Sequence, residues 1–241
     1  MAFFGLFGSD KPTEKNLQKA VTKVKERYAQ PEFRRAAMDQ LFGWGTPEAY
    51  DGLLARFTVV VQSPHYDEQE KRWLAEELAS HGDAALQALR RFLAKENHIA
   101  YASKSLIKLC DDDQYATYLI EALQARTPQE YRSVQGKQEL IHAMAETGHK
   151  DVVKAVLPYL EDHGDDVKCA AIDAVEKLGE DTDKLALLSM LSDDVHSARV
   201  LRYAAGAVSR LGLALDADKA LEAAVIEDYV VKEGKLVSNR G

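Results

Sequence analysis

Seven basic residues recur at one place in the rhythm of the chain. Arg34, Arg35, Lys71, Arg72, Lys137, Lys168 and Arg202 each fall ten or eleven positions before a punctuating glycine, at Gly45, Gly82, Gly148, Gly179 or Gly212. Guanidinium and ammonium groups at a fixed offset should line up as a ladder, and such a row can hold a carboxylate- or phosphate-bearing ligand. Aromatic residues stand near it: Trp73 and Tyr203 directly follow Arg72 and Arg202, and Tyr101 occupies the corresponding place in another segment. Arginine beside aromatic rings is the composition of a protein-binding hot spot. The candidate partner-binding residues are therefore Arg35, Arg72, Trp73, Tyr101, Lys137, Lys168, Arg202 and Tyr203.

Other chemistries lack their residues. The seven histidines are dispersed about one per repeat, with no HxxxH or HExxH arrangement. Glu139 and His142 have the spacing of half a di-iron site, but the second half that such a site requires is absent. No nucleophile elbow, P-loop or dinucleotide fingerprint occurs, and Asp111-Asp112-Asp113 lacks the order of a calcium loop. Cys110 and Cys169 stand far apart with no CxxC spacing, which fits a reduced cytoplasm. The expectation is no catalytic residue, no metal and no cofactor.

The elements that must carry the ladder are helices. In 241 residues there are only 14 glycines and 6 prolines, against a chain rich in alanine and leucine, which leaves little turn chemistry for a many-stranded sandwich. Two apolar-periodic blocks separated by a short polar break recur in 33–57, 71–93, 101–123, 137–160, 168–191 and 202–225. The breaks centre on Gly45, Gly82, Asp111, Gly148, Gly179 and Gly212, so each unit has the length of two helices of three to four turns. Glycine suits the left-handed position that closes a helix. Thr46-Pro47-Glu48 supplies an N-cap and a first-turn proline, and Thr127-Pro128-Gln129-Glu130 has the spacing of a capping box. Trp44 is expected in the core. A single hairpin cannot cover its own apolar faces, so neighbours must stack and share a continuous core.

Arg34-Arg35-Ala36-Ala37, Val167-Lys168-Cys169-Ala170-Ala171 and Arg202-Tyr203-Ala204-Ala205, each followed by an apolar turn and glycine, resemble HEAT-like repeats of the short bacterial type. The resemblance covers roughly residues 31–226. It implies an all-α, right-handed α-solenoid of about six stacked hairpins, with Pro158 as a tolerated kink. It departs from the pattern at Asp111-Asp112-Asp113 and at Thr58-Val59-Val60-Val61. It also implies a structural use for the ladder, because in such arrays a basic residue near the start of the first helix bonds an Asp of the adjoining turn; Asp165, Asp166, Asp193 and Asp194 are the available partners.

The expected organisation is an apolar tail and capping helix over 1–30, the repeat array over 31–226, and a loosely held tail over 227–241. The capping helix should run from about Glu14 to Ala29, with Leu17, Val21, Val24 and Tyr28 as its apolar stripe. Residues 1–35 carry a net +4 and the remainder −12 of the total −8. A cationic helix behind Phe3, Phe4, Leu6 and Phe7 could dock on an anionic membrane or a partner, the alternative being a frayed terminus and a solvated cap. No run is long and apolar enough to span a bilayer.

The function expected is a non-catalytic cytoplasmic scaffold or adaptor holding a protein on its concave face. The resemblance also admits a DNA glycosylase, which the acidic body disfavours, and a bilin-lyase-like subunit, for which no attachment chemistry is visible. HEAT-like deoxyhypusine hydroxylases use paired His-Glu steps, and no His-Glu dipeptide occurs here.

Overall fold

The computed structural model describes residues 12–215 and 221–239. Phe3, Phe4, Leu6 and Phe7 lie outside the described residues. The chain divides into two compact units that meet in sequence at Asp111 and Asp112. The division falls inside the third hairpin, at the acidic run that replaces glycine.

In the first unit, α1 (Glu14–Val24) begins at Thr13, whose hydroxyl accepts from the Asn16 N–H, and buries Ala20 and Val24. It covers both α2 (Pro31–Trp44) and α3 (Pro47–Leu54). The cap ends a turn before Ala29, and Tyr28 is 78% exposed instead of packed. Two features shape the connection from α1 to α2. Pro31 disfavours helical backbone at Gln30, and the carbonyls of Glu26 and Ala29 accept from the Arg34 guanidinium. The α2–α3 turn follows the expected chemistry, with Gly45 left-handed and the Thr46 hydroxyl accepting from Ala49 N–H. Trp44 is half-buried, outside the core. A second pair, α4 (Pro64–Leu78) and α5 (Gly82–Lys95), stacks α5 on α3, and the short α6 (Ala100–Leu106) packs on both α4 and α5.

The second unit runs through α7 (Asp112–Gln124), α8 (Val134–Thr147), α9 (Asp151–Val156), α10 (Asp165–Leu178), α11 (Asp181–Met190) and α12 (Ala198–Leu211). Here α10 is the central helix, flanked by α8 and α12. Its buried face includes Val167, Ala171, Ile172, Ala174 and Val175, an apolar stripe at helical spacing. At Pro158 the α9 helix tightens into a 3-10 segment over Leu157–Glu161, because proline has no N–H to give an α-helical bond. The capping box at Thr127 does not form. Residues 127–130 make a turn, and α8 starts only at Val134 after one 3-10 turn. Among the five break glycines, Gly179 has an extended backbone, not a left-handed one.

The last hairpin departs from the repeat. α12 is followed by a four-residue helix, α13 (Ala223–Ile226), and by two antiparallel strands, β1 (Tyr229–Lys232) and β2 (Lys235–Ser238). The stretch expected as a loose tail is thus an ordered hairpin over most of its length. Glu233 and Gly234 both have positive φ, as a two-residue hairpin turn requires. Leu236 is 3% exposed, and β2 packs on α12 with the Ser209 hydroxyl donating to the Leu236 carbonyl.

Candidate interaction surface and buried cations

The basic ladder separates into two sets that differ by one residue in position and wholly in environment. Arg34, Lys71, Lys137 and Lys168, eleven residues before their glycines, are buried; Arg35, Arg72 and Arg202, ten residues before, are exposed. One step along a helix turns a side chain by about 100°, enough to move it from between neighbouring helices to the surface.

Each buried cation of the ladder has an internal partner, a carboxylate for all but Lys168. In the first unit Arg34 makes a bidentate pair with Glu70, with nitrogen–oxygen distances of 2.7 and 2.9 Å. Arg56, fully buried, donates to Glu70 at 2.9 Å and to Asp67 at 2.8 Å, and Lys71 donates to the other Asp67 oxygen at 2.7 Å. Burial pushes the Asp67 carboxyl upward, but hydrogen bonds from Lys71, Arg56 and the Val61 N–H, with the Arg56 charge, hold it below the usual value. In the second unit Lys137 Nζ lies 2.5 Å from Asp162 and also donates to the carbonyls of Thr127, Pro128 and Glu130. The segment expected as a capping box serves instead as a cradle of carbonyls for a buried ammonium. Lys168 differs again, with its Nζ 3.0 Å from His196 Nδ1. Lys137 and Lys168 are thus withdrawn from any partner-facing surface, because both are enclosed and engaged.

The exposed candidates form two faces. On the first unit, the Arg35 guanidinium stacks 3.3 Å from the centre of the Trp73 ring, joining α2 to α4. Phe42 meets Trp73 edge-on and stacks on His81, whose Nδ1 lies 2.9 Å from the Tyr50 hydroxyl. Arg72 pairs with Glu68 one turn earlier, and the Tyr101 hydroxyl donates to the same carboxylate from α6. Tyr101 also stacks on Phe57. Burial, then the bond to Glu68, pushes the Tyr101 hydroxyl up to about 12, so it remains a donor under ordinary conditions. Arg35 and Trp73 thus meet across α2 and α4, and Arg72 and Tyr101 meet at Glu68, while Arg202 and Tyr203 belong to the second unit.

On the second unit, Arg202 and Tyr203 face carboxylates. Arg202 reaches Glu227 and Asp228, at 2.6 and 2.9 Å, and Tyr203 donates to Asp173 of α10 at 2.9 Å. Arg199 to Asp166 and Arg210 to Glu176 repeat the same link between α12 and α10. These side chains tie adjacent helices together.

Sequence reasoning missed Glu70, Asp67, Arg56 and Asp162, and also a polar cluster in the second unit. Glu161, Asp193 and His196 each place a potential ligand atom within 4.8 Å of the others. One signal was available: Lys137 and Asp162, Lys168 and Asp193, and Arg202 and Glu227 all stand 25 positions apart. The first and third of these pairs form ion pairs. Cys169 is buried, which pushes its thiol up, and Cys110 is half-buried; neither is in a disulfide. Among the described residues no helix is long and apolar enough to cross a membrane.

No curated protein and no solved structure matches the chain. The family model of HEAT repeats matches residues 132–210, from the turn before α8 almost to the end of α12. That match spans the helices that carry the buried Lys137 and Lys168, and it makes this stretch of the chain similar to HEAT repeats.

Proposed function

We propose that the chain is a non-catalytic, cytoplasmic interaction scaffold that holds a protein segment on the exposed face of α2, α4 and α6. One observation carries this reading: the Arg35 guanidinium packs over the half-buried Trp73 ring, next in sequence to Arg72, whose partner Glu68 also accepts from Tyr101. A preorganised arginine on an indole offers both a large apolar contact and hydrogen-bond donors, at little cost in side-chain entropy. The same unit also exposes Tyr28, Phe33 and Tyr66 near the starts of α2 and α4. Repeat arrays commonly use extended surfaces in this way.

Nucleic acid is the less favoured partner. Arg35, Arg72, Arg91, Arg199, Arg202 and Arg210 are each paired to a carboxylate. A phosphate backbone would have to displace those partners on a body of net negative charge.

The test is affinity purification of the full chain from its host, repeated with Trp73→Ala and Arg72→Ala. The expected outcome is loss of the co-purifying partner from both variants with helical circular dichroism unchanged. Partners retained by both variants would defeat the assignment of this face. A salt-sensitive shift of duplex DNA would move the reading to nucleic acid.

A further inference from the structure

We propose that Glu161, Asp193 and His196 form a binding site for a divalent first-row transition metal of the zinc type. The three residues come from two places in the second unit: the end of the 3-10 segment after α9, and the turn that leads into α12. One imidazole and two carboxylates are a donor set that suits zinc and its neighbours, with further positions left to water.

His196 carries the inference. It is 5% exposed, and its Nε2 is buried without a hydrogen-bond partner. A buried ring nitrogen left in this state is costly, so its surroundings call for explanation. Nε2 points at Glu161, with Oε1 at 3.5 Å. That is too long for a good hydrogen bond. It is, however, close to the roughly 3.4 Å that separates two donors each bound about 2.1 Å from one tetrahedral ion. Asp193 completes the group, held in place by one carboxylate oxygen that accepts from the Val195 N–H at 3.1 Å. The Glu161 side chain is 59% exposed and therefore free to close the remaining distance.

Lys168 sets the condition for binding. Its ammonium donates to Nδ1, which leaves the ring hydrogen on Nε2. A metal on Nε2 needs that hydrogen on Nδ1, so binding must displace Lys168 from the ring. The site is consequently expected to be one of moderate affinity, and removing the lysine charge should tighten it.

The experiment is titration of the chelator-treated full chain with zinc, followed by isothermal calorimetry and by competition with a chromophoric chelator. Wild type is expected to take up one ion per chain. His196→Ala and Glu161→Gln should each weaken uptake by at least about tenfold, and Lys168→Met should bind more tightly than wild type. Because Glu161 is exposed, its variant reports on the site even if His196→Ala disturbs the fold. No uptake by wild type, or equal uptake by wild type and both ligand variants, would overturn the proposal.

Discussion

Lys137 and Lys168 hold the same position on neighbouring helices, yet their surroundings differ. Lys137 is met by a carboxylate and three carbonyls, a closed arrangement with no solvent contact. Lys168 is met by an imidazole, while Asp193, which stands where Asp162 would, belongs to the cluster around His196. A repeat position fixes where a charge is buried. It does not fix what neutralises it, because the neutralising group comes from the next turn of chain. The first unit offers a third solution, in which Arg34, Arg56 and Lys71 share Glu70 and Asp67.

The comparison breaks most visibly at Asp162. Asp162→Asn leaves an ammonium buried with carbonyls alone, and is expected to cost about 3–5 kcal/mol of stability, read as a lower urea midpoint. A loss below about 1 kcal/mol would mean that the carbonyl cradle suffices and that the two lysines are more alike than their partners imply.

Tyr159 sharpens the same junction through pH. Its hydroxyl lies 2.8 Å from the Leu123 carbonyl and 2.6 Å from that of Arg126. Burial, then the Asp162 charge, pushes its ionisation up to about 12. A raised folded value means that this contribution is complete below about pH 10, the unfolded tyrosine range, and is lost as pH rises toward 12. Tyr159→Phe should lower neutral stability by about 1 kcal/mol and flatten the alkaline fall. An unchanged alkaline slope in the variant would assign that fall to other groups.

The smallest effect is expected at Lys168. With no carboxylate to strand, Lys168→Met replaces a buried cation by an apolar chain of similar length and should alter stability by less than about 1 kcal/mol in either direction. A loss comparable to that of Asp162→Asn would erase the distinction between the two positions.

Much of the fold was legible because it rests on local chemistry. Apolar spacing located the helix pairs, Thr46-Pro47 marked a helix start, and Pro158 marked a change of helix type. The C-terminal hairpin was less legible, since Val230 and Val231 precede Glu233-Gly234 but only Val237 is β-branched after it. The candidate surface was half legible. On the first unit Arg35 meets Trp73, and Arg72 and Tyr101 share Glu68, whereas Lys137 and Lys168 turn inward.

By itself the sequence determined the helical class, the repeat and the offset of the cations, because each depends on residues within a turn or two of one another. Only tertiary structure decided which cations are buried, where the chain parts into two units and how Glu161 comes to face His196. The reason is physical: burial and ligand geometry depend on separate turns being brought together, and side chains 35 residues apart share a site only when the intervening helices have packed.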